Sequence, residues 1–386
     1  MNLLLRALAL LLVSVSLLGG DPPRDYSASA NEVLKLVREH FYDAQLANTW
    51  AQKHADFAAS ATDEQSFVQL TRGALAELNA SHVGYYTSDD VEYHALRSIF
   101  ATSLQVSDPA CDSIGIDVTP AGFVRVVFAR GPAAKAGLRR GDQIVAADGQ
   151  PFHPVRSFRD KSGKPVTLRV RRSADAEPIE LRVTPRRINP QDEWLEHQIH
   201  GTRIIERGGR KIGYIPMFCG AGEQYEVAVR AALATMNDLD ALVLDMRYGW
   251  GGLSGTFVQL FDPAVPLMTL IGRDGAQQHV DRAFRAEVFI LTGPGTRSGK
   301  EMVCRVLQRH RRATLVGEKT AGAVLGGGPF VLADGSLLLL AKFDIRVDGE
   351  RLEGIGVKPD VEGPDVLEYA DGSDPLLERS LQLASE

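Results

Sequence analysis

The stretch A-L-V-L-D-M-R-Y-G-W-G-G-L-S-G, residues 241–255, places an unbroken apolar run directly before a glycine-rich turn. A short apolar run of this kind is typical of a strand buried on both faces of a sheet. Further along, the strand-like runs K-I-G-Y-I-P-M, E-V-F-I-L-T and A-T-L-V-G alternate with the helical patterns E-V-A-V-R-A-A-L-A-T-M and K-E-M-V-C-R-V-L-Q-R-H. The alternation predicts an α/β core over residues 196–386, with chemistry expected in the loops that follow the strands.

Two segments with different sequence patterns precede this core. Residues 26–100 repeat apolar positions at helical spacing, as in V-L-K-L-V-R-E-H-F and S-F-V-Q-L-T-R-G-A-L-A-E-L, which predicts a small helical domain. Residues 106–188 change to short β-like runs separated by glycine and proline. The chain as a whole is therefore expected to have a multidomain α+β fold.

Within the β-rich segment, residues 131–151 read G-P-A-A-K-A-G-L-R-R-G-D-Q-I-V-A-A-D-G-Q-P. A helix that ends at Gly137 and a strand that reverses at residues 148–149 resemble a PDZ domain. The resemblance implies that the C-terminal strand of a polypeptide is added to a sheet edge, with its carboxylate held on backbone amides. That amide loop would lie near residues 113–116, with Gly115 and Ile116 as candidate peptide-binding positions.

Composition narrows the possible partners and the compartment. The chain has 386 residues and a formal net charge of -6, which disfavours nucleic acid as a partner. Arg6 followed by an apolar run to Leu18 and small residues predicts a signal peptide at residues 1–20. The protein is therefore expected to be exported, periplasmic or extracellular, with no stable membrane span after signal removal.

Cysteine content bears on disulfide cross-links, and the spacing of His, Cys, Asp and Glu bears on metal binding. Three cysteines, Cys111, Cys219 and Cys304, are too few for a disulfide framework, although one pair could form. No cluster of His, Cys, Asp and Glu has the spacing of zinc ligands. We therefore expect no metal and no cofactor.

Two loops carry candidate chemistry. The turn over residues 248–255 does not fit a dinucleotide fingerprint, and G-P-G-T-R-S-G-K-E at residues 293–301 does not fit a phosphate-binding loop. The second loop leaves Ser298 at a strand-to-helix turn. Taken alone, this serine could be a helix cap or a nucleophile.

A resemblance bears on that choice. The stretches D-M-R-Y-G-W-G-G, G-T-R-S-G-K-E-M-V-C and E-G-I-G-V-K-P-D, in this order, resemble the C-terminal processing (tail-specific) protease family. The resemblance implies a core of the crotonase-like, Clp-protease-like kind, with Ser298 as nucleophile. It also implies a departure, because Ala323 stands where the better-known branch has its catalytic lysine.

A second branch, which includes the tricorn protease core, uses a histidine in L-x-x-S-H instead, and residues 78–82 read L-N-A-S-H. The resemblance implies His82 as the base, oriented through Ser81 by Glu353. Histidine suits this role because its ordinary pKa lies near neutrality. For the oxyanion site, the resemblance points to the amide of Gly299 and to one from the pair Gly251 and Gly252.

These features predict an exported serine endopeptidase that hydrolyses polypeptides through an acyl-enzyme. The PDZ resemblance implies that the substrate is engaged through its C-terminus. The alternative is a non-catalytic binding protein on the same scaffold, for an apolar ligand or for C-terminal tails. Labelling by a serine-reactive probe separates the two classes.

Overall fold

The structure is a computed structural model that describes residues 26–236, 238–262, 264, 268–280 and 283–386. The predicted signal peptide at residues 1–20 lies outside the described residues. Within these ranges, no helix is both long and apolar enough to cross a membrane. The three cysteines are free thiols.

The N-terminal part is mainly helical. In its first helix the buried side chains recur at three- and four-residue spacing, at Ala30, Val33, Leu34 and Val37, so that one face is apolar. The elements are α1 Ser27–His40, α2 Ala44–Lys53, α3 Glu64–Ala76, β1 Gly84–Tyr86 and α4 Val91–Ile99.

The middle part is a small β-rich unit around a buried core that includes Phe158 and Leu168. Its strand β5 turns back at Asp148 and Gly149, whose φ angles of 49° and 76° are those of a tight hairpin turn. The elements are β2 Cys111–Ser113, β3 Ile116–Val118, β4 Val124–Val127, α5 Pro132–Lys135, β5 Gln143–Ala147, β6 Gln150–Pro151, β7 Val166–Arg171, β8 Ile179–Val183 and β9 Arg186–Ile188.

The C-terminal part alternates strands and helices. Its elements are α6 Pro190–Gly201, β10 Arg203–Arg207, β11 Arg210–Pro216, α7 Glu223–Thr235, β12 Ala241–Asp245, α8 Gly255–Gln259, β13 Met268–Ile271, β14 Gln277–Val280, β15 Glu287–Thr292, α9 Gly299–Arg309, β16 Thr314–Gly317, β17 Gly326–Val331, β18 Leu337–Phe343, β19 Arg346–Val347, β20 Glu350–Arg351, β21 Val361–Glu362 and α10 Pro375–Ala384.

A six-stranded sheet in the order β10-β11-β12-β15-β16-β21 forms the centre of this part. Strands β11 to β21 are parallel, and β10 pairs antiparallel with β11. Along β12, Leu242 and Leu244 pack with α9, whereas Ala241 and Val243 pack with α10. Helices therefore cover both faces, as the apolar runs predicted, and the multidomain α+β fold class is confirmed.

A second, three-stranded sheet joins the two ends of the chain. Its order is β1-β18-β17, with Tyr85 of β1 opposite Leu338 of β18. Leu325, Leu338 and Leu340 are buried in the same core as the apolar faces of α1 to α3. The N-terminal helices are thus completed by residues that lie far along the chain.

A buried ion network anchors the loop after β12. Arg247 is almost fully buried and donates to the carboxylates of Asp245, Asp365 and Asp374 at 2.6–2.9 Å. Burial alone would raise the pKa of Asp245, but the guanidinium of Arg247 outweighs it and holds that pKa at about 2. The start of the loop is therefore fixed by charge-assisted bonds.

We expect Arg247→Met to lower the free energy of unfolding at pH 7 by about 3–5 kcal/mol, because it leaves buried carboxylates without their cation. Urea unfolding measures this loss. Arg346→Met is the control, since Arg346 pairs with Asp344 at the surface and its removal should cost less than about 1 kcal/mol. Equal losses for the two variants would show that the network does not hold the loop.

Candidate active site

The order of strands in the sheet places the loop after β12 next to the loop after β15. Strands β12 and β15 are parallel neighbours, with Asp245 opposite Leu291, so their carboxyl ends lie side by side. The loop after β12 carries the glycine pair 251–252, and the loop after β15 carries Ser298. The two predicted halves of the serine site therefore share one edge of the sheet.

Ser298 occupies the turn immediately before α9. Its φ of 57° and ψ of -129° lie in a region that residues other than glycine rarely adopt, and such strain concentrates at functional positions. The turn is held by the Ser298 amide, which donates to the carbonyl of Ala323 at 2.9 Å and to Glu301 Oε2 at 3.2 Å. The serine is thus fixed at the positive end of a helix.

The glycine pair lies directly against this serine. A Cβ built on Gly251 would be 2.5 Å from Ser298 Cβ and 3.2 Å from Ser298 Oγ, so only glycine permits the approach. Gly299 is packed against Gly252, with a built Cβ only 3.1 Å from the Gly252 carbonyl carbon. As the first residue of α9, Gly299 has an amide without an intrahelical partner. The candidate oxyanion residues Gly251, Gly252 and Gly299 therefore lie together beside Ser298.

The predicted histidine relay is assembled from the two ends of the chain. Ser81 Oγ lies 3.0 Å from His82 Nδ1 and 2.8 Å from Glu353 Oε2, and the Ser81 amide donates to Glu353 Oε1 at 2.8 Å. Glu353 is buried and follows β20, so a residue of the C-terminal part orients the N-terminal histidine.

The hydrogen bonds assign the imidazole tautomer. Ser81 Oγ donates its single hydroxyl proton to Glu353 Oε2 at 2.8 Å. Ser81 Oγ is then the acceptor for His82 Nδ1–H, which leaves Nε2 with a free lone pair. The relay thus presents a nitrogen able to take up a proton.

Burial, followed by the positive charge of Arg297, lowers the pKa of His82 to about 4, and the charge of Glu353 only partly opposes this. The imidazole is therefore neutral at neutral pH. A neutral imidazole is the form that a general base requires.

Residues 321–327 link the histidine side to the serine side. The carbonyl of Ala323 accepts from Ser298, and the amides of Val324 and Leu325 donate to Glu353 Oε2 at 2.7 and 3.2 Å. A Cβ on Gly327 would lie 2.9 Å from His82 Cβ. The structure thus brings Ser81, His82 and Glu353 into direct contact, and it ties both the relay and Ser298 to this one segment.

Two buried residues of α9, Lys300 and Glu301, were not among the predicted site residues. Glu301 accepts from Thr320 Oγ1, the Gly322 amide and the Ala323 amide at 2.5–2.8 Å, and so holds the linking segment to the helix. The pattern S-x-x-E, residues 298–301, is a helix-start signature that could have identified it. Lys300 is fully buried. The sequence signal for it is a cation in the first helical turn, where the helix dipole disfavours positive charge.

The predicted peptide-binding positions lie in the β-rich unit. The Gly115 amide donates to Ser113 Oγ at 2.9 Å, and that hydroxyl donates to Glu193 Oε2 at 2.6 Å. Glu193 is a buried residue of α6, and burial raises its pKa. Ile116 begins β3, whose described pairing is with β4.

Two segments of the chain match known protein families. Residues 211–363 match the model of peptidase family S41, and residues 123–172 match a PDZ domain, inside the segment predicted for it. A carboxyl-terminal-processing protease of Synechocystis sp. is 28% identical over 268 residues, covering 64% of this chain and 60% of that protein. The chain therefore spans about 60% of the length of this curated relative.

A tricorn protease homolog of Streptomyces coelicolor is 25% identical over 394 residues, covering 95% of this chain and 33% of that protein. Among solved structures, the photosystem II D1 C-terminal processing protease superposes with a TM-score of 0.54 at 20% identity, covering 88% of this chain and 94% of that one. The tricorn protease gives 0.58 at 18% identity, covering 93% and 36%. These structures share the fold. These matches agree with the family recognised from the motifs: residues 211–363 match peptidase family S41, residues 123–172 match a PDZ domain, and the chain is similar to the C-terminal processing proteases.

Proposed function

We propose that this chain is a serine endopeptidase that hydrolyses peptide bonds through an acyl-enzyme on Ser298, with His82 as the general base. The observation that carries the proposal is the relay from Glu353 through Ser81 to His82, which leaves Nε2 unprotonated and lies on the segment that also holds Ser298. Ala323 stands where a catalytic lysine would be expected, so the histidine supplies the missing base.

The proposed chemistry requires His82 Nε2 to approach Ser298 Oγ, because the two atoms are not hydrogen-bonded to each other in the described structure. His82 Nε2 takes the proton of Ser298 Oγ as that oxygen attacks the substrate carbonyl, and the carbonyl oxygen becomes an oxyanion. The amide of Gly299 and one from the pair Gly251 and Gly252 donate to the oxyanion. The imidazolium then gives its proton to the leaving amine as the C–N bond breaks. Water, activated by the same histidine, releases the acyl group and restores the serine.

The substrate in this proposal is an exported or periplasmic protein or peptide. The leader-like segment at residues 1–20 supports export. The PDZ domain supports engagement of a C-terminal tail, with the carboxylate held near Gly115 and Ile116. In the described structure the Gly115 amide donates to Ser113 Oγ, which in turn donates to the Glu193 carboxylate. The carboxylate of a bound C-terminal tail must therefore compete with this hydrogen-bond chain.

Replacing either proposed catalytic residue tests the function. Ser298→Ala and His82→Ala are each expected to lower kcat/KM on a peptide library about 10,000-fold, because the nucleophile and its base act as a unit. Fluorophosphonate labelling of Ser298 should fall in His82→Ala as well. His200→Ala is the control, since His200 is an exposed residue at the end of α6.

If Ser298→Ala cleaved as fast as the parent, the assignment of the nucleophile would be wrong. A parent protein that neither cleaves nor labels, yet binds an apolar ligand or a C-terminal tail tightly, would instead identify the non-catalytic alternative.

The pH profile tests the base separately. Since the protonated imidazole cannot accept a proton, kcat/KM should stay level as pH falls to about 5 and decline through a midpoint at about 4. Arg297→Gln should move that midpoint upward, because the charge of Arg297 lowers the pKa of His82. Arg309→Gln, at the far end of α9, should not move it.

Circular dichroism at each pH confirms that the fold persists through the titration. A midpoint near the ordinary histidine value of 6.5 that Arg297→Gln leaves unchanged would exclude His82 as the titrating base.

Binding of a peptide's C-terminal carboxylate by the PDZ domain is tested in the Ser298→Ala variant, which is not expected to cut the peptide. Glu193→Gln should tighten binding of a peptide with a free C-terminal carboxylate by about 5- to 10-fold, because it removes a like charge beside the loop. The same peptide with an amidated C-terminus should be unaffected, and fluorescence anisotropy measures both. Glu196→Gln is a matched control, since Glu196 is only partly buried and pairs with the same Arg186. Equal affinity for acid and amide peptides would refute carboxylate capture.

A further inference from the structure

Lys300 is a buried cation beside the proposed nucleophile. It is the second residue of α9, two positions after Ser298, and its side chain is fully buried. Burial costs an ammonium group its hydration, and the adjacent helix N-terminus repels positive charge. Both effects disfavour a lysine in this position, so its ammonium group must be stabilised by specific contacts.

The contacts of Lys300 are main-chain carbonyls. Its Nζ donates to Tyr248 O at 2.6 Å and to Phe218 O at 3.1 Å, and within the described part of the chain it forms no ion pair. Burial lowers the pKa of Lys300 to about 8. The group therefore remains mostly protonated at pH 7, with two strong hydrogen bonds directed at the backbone.

Both carbonyls belong to the framework of the glycine-rich loop. Tyr248 begins the loop, and Phe218 O also accepts from the Trp250 amide at 2.7 Å. One residue further along, Gly251 O accepts from the Gly220 amide at 3.0 Å. The ammonium is thus tied to both ends of the turn that leads into the candidate oxyanion donors.

We propose that Lys300 is a positioning residue for the oxyanion site, which fixes residues 248–252 relative to Ser298 and Gly299. This inference rests on the proposed function. Lys300 belongs to the same helix as the Gly299 amide, so its bonds set the distance between the helix-borne donor and the loop-borne donor. An oxyanion site depends on such preorganisation, because donors that must reorganise during the reaction stabilise the transition state less.

Lys300→Met tests the inference, because methionine has a similar length and no donor or charge. We expect kcat on a peptide substrate and the rate of fluorophosphonate labelling at Ser298 to fall by about 10- to 100-fold, while KM changes less than about twofold. The unfolding temperature should be unchanged or higher, because an unpaired buried charge has been removed. Hydrogen exchange of the backbone amides of residues 248–252 should become faster.

Cys304→Ala is the matched control. Cys304 is buried on the same helix and packs in the apolar core, so its truncation should lower the unfolding temperature and leave kcat unchanged. Lys300→Gln, which keeps a neutral donor, should give an intermediate kcat. It also serves as the second variant if methionine is not accommodated.

Full kcat in a folded Lys300→Met variant would overturn the inference, as would a loss of kcat that merely follows a loss of stability. Failure of both Lys300 variants to fold would also overturn it, because the lysine would then be needed for the fold. If the parent itself neither cleaves nor labels, the proposed function fails, whereas faster exchange in residues 248–252 would still establish the tether.

Discussion

The carboxylate of Glu353 holds the candidate site together. It accepts from the Ser81 amide and hydroxyl on the N-terminal side and from the amides of Val324 and Leu325 on the C-terminal side. Charge-assisted bonds of this kind are stronger than neutral ones, and burial increases the cost of losing any of them. A single side chain therefore sets the tautomer of the histidine and anchors the segment against which Ser298 is placed.

Near this carboxylate, two glycines allow the backbone to pack closely against the candidate catalytic residues. Gly251 reaches Ser298, and Gly327 reaches His82, at separations that a side chain would prevent. Ser298 itself has a strained backbone conformation, which persists because Glu301 and Ala323 both hold its amide. Such strain is tolerated because the surrounding bonds over-determine the turn.

Much of this organisation was predictable from the sequence. The apolar runs identified the parallel sheet because a strand buried on both faces has to be apolar throughout, and the glycine pattern of residues 131–151 identified the PDZ domain. Ser298 and His82 could be nominated because short motifs preserve the local geometry of a turn or a relay. What makes these nominations specific is their combination, since either residue alone is also a good helix-terminus residue.

The remaining features depend on contacts between distant segments. Nothing local in L-L-L-L-A-K-F, residues 337–343, indicates that this strand pairs with β1. The burial of Lys300 and the pairing of Ser113 with Glu193 are likewise properties of the packed structure, because a residue's solvation is set by neighbours from elsewhere in the chain. A sequence pattern shows which side of an element is apolar but not which distant element covers it.

The shared core of α1 to α3 with β17 and β18 has a consequence for the order in which the molecule matures. During synthesis the histidine-bearing segment emerges first, but the strands that cover its apolar face follow more than two hundred residues later. Until they arrive, Ser81 has no Glu353 to orient it, and the loop of Ser298 has no segment 321–327 to brace it. Long-range pairing of this kind forms late in folding. The relay of Ser81, His82 and Glu353 therefore cannot assemble until residue 353 has been synthesised, and under the proposed function the nascent chain would cleave no peptide bond before that point.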